Sequence, residues 1–217
     1  MESKLICIIG APSSGKSTLA TDVHTELKKL GKNSIFISEE ATDYIAANGI
    51  PSDPIDQMTI FYKQTSKENM FIGCKDYIIC DSSGLLNYFY FRKLFNNPLS
   101  NKNISVINHL QLEILKNINK WNFLFYIPPI LTNIDDGIRF HDKDQIIKLD
   151  RCIKSYLDTE NIPYYDLSDI QINNRANHIK NIILLYKQGK SCSAIAEIYN
   201  INRETIRKYL HKNNIKI

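Results

Sequence analysis

No apolar run in this 217-residue sequence approaches the ~20 residues that would span a bilayer. The apolar stretch after Lys4 lasts five residues, too short for the core of a secretory signal. The five cysteines, Cys7, Cys74, Cys80, Cys152 and Cys192, form no C-x-x-C pair and no Cys/His spacing of a metal site. Three of them lie in or beside apolar runs, where a thiol behaves as a small hydrophobe. Internal repeats and low-complexity tracts are missing too. These absences argue against a membrane protein, a disulfide framework and a Cys/His metal module. They lead to the expectation of reduced thiols, a cytoplasmic protein and no membrane partner. What remains is 43% hydrophobic and 23% charged, the composition of a globular chain. Its length suits one α/β domain with a small appendage.

What is present is the octapeptide Gly10-Ala11-Pro12-Ser13-Ser14-Gly15-Lys16-Ser17, which fits the phosphate-binding pattern G-x-x-x-x-G-K-[ST]. Leu5-Ile6-Cys7-Ile8-Ile9 before it reads as a buried parallel strand. Ser17 to Leu30 after it has helical character and stops at Gly31. Strand, glycine-rich turn and helix form the context in which this pattern works. Gly10 and Gly15 allow a tight turn whose N–H groups approach phosphate oxygens, and the helix N-terminus adds favourable partial charge. Gly10, Ser13, Ser14, Gly15, Lys16, Ser17 and Thr18 are therefore the expected ATP contacts. Lys16 is expected at the β- and γ-phosphates and the Ser17 hydroxyl on Mg²⁺.

Further apolar runs recur at α/β spacing. Ser34–Ser38, Tyr77–Cys80, Phe123–Ile127 and Ile162–Leu167 read as strands, with helices at about 56–72, 105–120 and 143–159 between them. Alternation of this kind predicts an α/β fold: a P-loop NTPase with a parallel sheet covered by helices on both faces, plus a small all-α tail. The domain reading is 1–167 for the P-loop unit, 168–177 as a polar linker and 178–217 as the tail.

In such sheets ligands bind beyond the carboxyl ends of the strands, so polar residues there are the first site candidates. Asp81 follows the third strand, where P-loop enzymes hold Mg²⁺ directly or through water; Asp81-Ser82-Ser83 is equally able to start a helix. Glu39 and Glu40 close the second strand, and at most one of two adjacent carboxylates faces a common site. A carboxylate there suits the acceptor hydroxyl, as base or positioning group. Arg139, in the polar segment after the fourth strand, is a candidate cation for a transferring phosphoryl group, and His141 nearby a weaker candidate base.

Four blocks in order, namely the P-loop, Glu39-Glu40-Ala41-Thr42-Asp43-Tyr44-Ile45, the strand ending at Asp81, and Asp136-Gly137-Ile138-Arg139, carry a resemblance. Residues 4–167 resemble the P-loop kinase domain of the NadR regulators, the nicotinamide-riboside kinases and the wider AAA-like P-loop ATPase family. Ile162-Pro163-Tyr164 resembles the strand that follows the family's Asp-Gly-x-Arg lid segment. By this resemblance Glu39, Asp81, Asp136 and Arg139 gain weight as site residues. Two positions depart from the family pattern: Thr42 stands in place of an Arg, and Ser83 in place of the second Asp of Asp-x-Asp. The resemblance thus implies a kinase of a nucleoside- or nucleotide-type small molecule without naming its acceptor.

The last forty residues differ in charge. Residues 178–217 hold eight Lys/Arg and two Asp/Glu, a net +6, whereas the preceding 177 sum to −2. A basic block of this kind points to a polyanion as the partner of that block alone. Ile179, Ile182, Ile183 and Tyr186 form one helical stripe. Ser191 is placed to cap a second helix carrying Ile195, Ala196 and Tyr199, and Asn202 a third with Ile206, Tyr209 and Leu210 inward. The run resembles a helix-turn-helix of the resolvase and transposase kind. By that resemblance Arg203, Glu204 and Thr205 face base edges, while Arg207, Lys208 and Lys212 lie near phosphates. One such unit binds weakly, so a homodimer or a repeated DNA site is expected. Two further readings fit the same parts: a DNA-binding ATPase without kinase activity, and a kinase of polynucleotide 5′ ends.

Overall fold

Leu5 to Ile9 are all buried, which a strand achieves only when both faces of its sheet are covered. The computed structural model describes residues 3–94, 101–117, 120–130, 143–188, 190 and 192–199. In chain order its elements are β1 (Lys4–Ile9), α1 (Lys16–Lys29), β2 (Ser34–Ile37), α2 (Glu40–Asn48), α3 (Pro54–Met70), β3 (Tyr77–Asp81), α4 (Leu85–Leu94) and α5 (Asn101–Asn117). Then follow β4 (Phe123–Tyr126), α6 (Lys143–Thr159), β5 (Tyr165–Asp166), α7 (Ile172–Lys187) and α8 (Cys192–Tyr199). The five strands form one parallel sheet in the order β2-β3-β1-β4-β5. Parallel neighbours need crossovers, and the intervening helices supply them. One group, α1 with α7, packs together; a second joins α3, α4, α5 and α6.

The local chemistry explains individual elements. Asp53 opens α3 with a capping box: its carboxylate accepts from Ile55 N–H at 2.8 Å, and Asp56 accepts from Asp53 N–H at 2.9 Å, with Pro54 in the first turn. On α6, Ile146, Leu149, Ile153 and Leu157 recur at helical spacing and are the buried residues. Each fully buried Leu or Ile contributes about 1.5–3 kcal/mol. Among the described residues no helix is long and apolar enough to cross a membrane.

Four elements differ from the sequence expectation. Helices α2 and α4 fall outside the helical spans read from the sequence, because their residues show no clear apolar stripe; α2 starts where Gln64 receives the Glu40 N–H, and α4 where the Ser83 hydroxyl receives the Leu85 N–H. Of Ile162–Leu167 only Tyr165–Asp166 pairs with β4, since β5 is an edge strand with one neighbour. Residues 172–177, read as linker, are the first turns of α7. Polar side chains hide the period there, and the helix is held instead by Ile179, Ile182 and Ile183, each at most 1% exposed.

Candidate nucleotide-binding site

The topology brings two loops together. From β1 the chain crosses β3 to reach β2, whereas from β3 it crosses β1 to reach β4. Adjacent strands whose connections leave in opposite directions open a crevice at their carboxyl ends. Here those strands are β1, which ends in the P-loop, and β3, which ends at Asp81. Ile8 and Asp81 are register partners, and Ser82 N–H donates to Ile8 carbonyl oxygen at 3.0 Å.

The P-loop itself requires its glycines. A Cβ on Gly10 would stand 2.3 Å from the carbonyl oxygen of Ile127, an impossible contact. Gly15 precedes α1 with φ +81°, a left-handed conformation that side chains rarely adopt. Ser13 is also left-handed, at φ 58°. Successive turns of this kind aim backbone N–H groups into one concavity, which suits an anion. Lys16 is buried within it and donates to Ala11 carbonyl oxygen at 3.0 Å. The Ser14 hydroxyl is buried without a hydrogen-bond partner, while Ser17 and Thr18 are exposed at the start of α1. From the other side, Ile130 N–H donates to Ser13 carbonyl oxygen at 2.8 Å, so the segment after β4 is stitched to the loop. That clamp is a feature the sequence does not announce.

Asp81 closes β3 and is buried, 4% exposed as a residue. Its alternative as a helix starter falls to Ser83, whose hydroxyl accepts from Leu85 N–H at 3.3 Å at the head of α4. A hydroxyl at Ser17 and a carboxylate at Asp81 form a hard-oxygen donor set that fits Mg²⁺, which takes one or two protein ligands and completes its shell with phosphate and water. Together with the orphaned Ser14 hydroxyl, this set fits a Mg²⁺-nucleotide.

The two glutamates after β2 separate clearly. Glu40 is buried, its backbone N–H donates to Gln64 Oε1 at 2.9 Å, and its carboxylate is ion-paired with Lys63 (3.6 Å) and Lys67 (2.5 Å). Lys67 in turn bonds Asp43 at 2.7 Å; burial alone would lower its pKa, but Asp43 and Glu40 raise it on balance. Glu39, half-buried at the N-cap of α2, receives a long contact from Thr42 Oγ1 at 3.5 Å. Glu39 stands between the end of β2 and the start of α2. Behind it lies a buried polar row that sequence reading passes over. Gln64 Nε2 donates to Glu68 Oε1 at 3.3 Å, and Glu68 pairs with Lys120 at 2.7 Å. Asn87 Nδ2 donates to Gln57 Oε1 at 3.1 Å. The available signal is spacing: Gln57, Gln64 and Glu68 share the α3 stripe that carries buried Ile60 and Phe61.

At the end of β5, burial pushes Asp166 upward, but bonds from Lys154 and Ser168 outweigh it and hold its carboxyl low. Burial raises Asp150, against which Tyr126 donates at 2.8 Å, and lifts Tyr156 to about 12. Asp136, Arg139 and His141 lie outside the described residues, as do Ser191, Asn202, Arg203, Glu204, Thr205, Arg207, Lys208 and Lys212.

Comparison with known proteins agrees with this geometry. A solved NadR protein in complex with NR has a TM-score of 0.66 at 20% identity, covering 87% of this chain and 52% of its own length. This chain therefore spans about half of that protein. Deoxyadenosine kinase from M. mycoides with products dCMP and a flexible dCDP has a TM-score of 0.58 at 13% identity, covering 82% of this chain and 98% of its own. The same kinase with dATP bound gives 0.56 at 14% identity. At these identities the likeness is one of fold. No curated protein sequence matches the chain. The family of the helix-turn-helix domain of resolvase matches residues 172–213, and the AAA domain family matches residues 5–175. With a P-loop at the switch point of a five-stranded parallel sheet and four-fifths of its length matched, the chain belongs to the AAA domain family.

Proposed function

We propose that the protein is an ATP- and Mg²⁺-dependent kinase of a nucleoside- or nucleotide-type small molecule that also binds DNA through its C-terminal segment. One observation carries the reading: Lys16, Ser17, Asp81 and Glu39, chosen from three separate stretches of sequence, all stand at the carboxyl edge of one sheet. The kinase folds matched by the chain, and the resolvase family match at 172–213, support the two halves of the proposal.

The γ-phosphoryl group passes in line to an acceptor hydroxyl: the new P–O bond forms as the bond to the β–γ bridging oxygen breaks. Lys16 leaves the Ala11 carbonyl and binds the β- and γ-oxygens, joined by loop N–H groups. Ser17 and Asp81 would hold Mg²⁺, which would supply neutralisation of the phosphate charge. Glu39 orients the acceptor hydroxyl and takes its proton. Arg139 is assigned the developing charge from the lid segment on the grounds of its sequence block.

The test is γ-phosphate transfer from labelled ATP to a panel of nucleosides, nucleotides, nicotinamide riboside and 5′-hydroxyl oligonucleotides, with Lys16→Ala alongside. A labelled small molecule establishes the kinase. Free phosphate alone, increased by DNA, would replace it with a DNA-binding ATPase, and a labelled oligonucleotide with a polynucleotide kinase.

A further inference from the structure

We infer that Gln64 is a positioning residue for phosphoryl transfer: from a buried polar row against the sheet it fixes the backbone next to Glu39, and with it the place of the carboxylate that takes the acceptor proton. The inference rests on the proposed function for the role of Glu39.

The first observation is how α2 begins. The leading N–H groups of a helix have no partner within it. Glu39 is the N-cap of α2 and makes no side-chain cap bond there. The N–H of Glu40, the first helical residue, goes instead to Gln64 Oε1 of α3 at 2.9 Å. The Glu40 carboxylate is held from the same helix by Lys67 and, at 3.6 Å, by Lys63. Backbone and side chain of Glu40 are both tied to α3, and Glu39 is one peptide away.

The second observation is that Gln64 is itself fixed. It is buried, and its amide uses the oxygen for Glu40 and the nitrogen for Glu68 Oε1 at 3.3 Å. A flipped amide would set donor against donor at Glu40 and acceptor against acceptor at Glu68. Glu68 is buried in turn and pairs at 2.7 Å with Lys120, which stands between α5 and β4. The start of α2, the middle of α3 and the approach to β4 are thus joined by one chain of buried polar contacts. The row lies against β1 and β3: burial first, and the Glu68 carboxylate second, pushes up the thiols of their register partners Cys7 and Cys80. Those two strands end in the P-loop and in Asp81.

The third is that stability does not account for the row. Taking a carboxylate and an ammonium out of water is costly, and apolar residues of similar size in place of a buried ion pair are often neutral or stabilising. What apolar residues cannot supply is an acceptor for the Glu40 N–H at one defined place. A reacting group displaced by about 1 Å loses up to about 10²-fold in rate, so a fixed start of α2 acts directly on transfer.

The experiment compares wild type, Gln64→Met, Glu39→Gln and the double variant in γ-phosphate transfer from labelled ATP to the small molecule of the panel that wild type labels best. The Kd of a fluorescent ATP analogue with Mg²⁺ and the unfolding temperature are measured on each. Gln64→Met is expected to lower kcat by about tenfold or more while the Kd stays within about twofold and the unfolding temperature holds. In the Glu39→Gln background the same substitution is expected to cost less than about twofold, because two residues that act through one carboxylate do not add. Hydrogen exchange at the Glu40 amide is expected to quicken in Gln64→Met. Should that variant fail to fold, Gln64→Met/Glu68→Leu/Lys120→Met, which removes both buried charges together, takes its place with the same expectations. Losses that multiply in the double variant, a kcat that does not fall, or unchanged exchange at Glu40 overturn the inference and leave the proposed function standing. A fall in ATP affinity and unfolding temperature alongside kcat makes Gln64 a structural residue and overturns the inference as well. Wild type that labels no small molecule overturns the proposed function itself, and Glu39→Gln with undiminished transfer overturns the role given to Glu39; the inference falls with either.

Discussion

Lys16 donates to the carbonyl oxygen of Ala11 at 3.0 Å, so its ammonium is folded across the loop that phosphate is to occupy. Binding exchanges this neutral acceptor for phosphate oxygens. A hydrogen bond to a charged group is worth about 1.5–3 kcal/mol, or roughly 10- to 150-fold in affinity. Lys16→Ala is expected to weaken a fluorescent ATP analogue by that range and to abolish transfer. DNA binding of the same variant, measured by anisotropy without nucleotide, is expected to be retained.

Glu39→Gln and Glu40→Gln are expected to fail in different ways. In the proposed mechanism Glu39 takes the acceptor proton, so its variant is expected to lose transfer by about 10²-fold or more, the scale of general-base removal, with little change in unfolding temperature. Glu40→Gln weakens a partly buried ion pair with Lys67 and costs about 1–2 kcal/mol of stability. Calorimetry and the transfer assay, run on both variants, read the contrast.

Asp53→Ala removes the side-chain half of the α3 capping box. The expected cost is about 1 kcal/mol, seen as a lower urea midpoint with an unchanged slope. Because α3 carries Gln57 and Gln64 behind the site, nucleotide affinity at saturating stability serves as the control and should not move.

The thiols divide by burial. Cys7 and Cys80 are register partners on β1 and β3, fully buried, and burial pushes both thiols well above their usual range. Cys74 and Cys152 are exposed. A disulfide reagent at neutral pH is expected to modify Cys74 and Cys152 in the native protein and to reach Cys7 and Cys80 only on unfolding. Peptide mass mapping before and after denaturant checks this.

Acid is expected to loosen the α1–α7 pair. Burial lowers the pKa of His178 on α7, and burial with the nearby Lys28 lowers that of His24 on α1, both from 6.5. The unfolded chain therefore takes up protons first. The histidine contribution to stability is complete above pH 6.5 and declines as pH falls below it, toward the depressed folded values. The unfolding temperature should drop through that window, and less steeply in His178→Gln.

Much of this molecule was legible in residue order. The P-loop, four of five strands and the cores of helices α1, α3, α5 and α6 could be read because apolar runs and turn residues act locally. The β5 strand was overread, since edge pairing depends on where β4 sits. α2 and α4 were missed, since their faces have no clear apolar period. The two carboxylates at 39 and 40 were indistinguishable until Gln64 and Lys67 claimed one of them from α3.

By itself the sequence determined the phosphate-binding loop, the parallel α/β class and the basic character of the last forty residues. Each follows from residue type at short range: glycine backbone, strand-length apolar runs, and charge. Only the tertiary structure placed Asp81 beside the loop, buried Glu40 against Lys63 and Lys67, and packed the apolar stripe of α7 into the core around the sheet. Those outcomes depend on strand order and on which side chains are buried together, and both are settled by contacts between residues far apart in the chain.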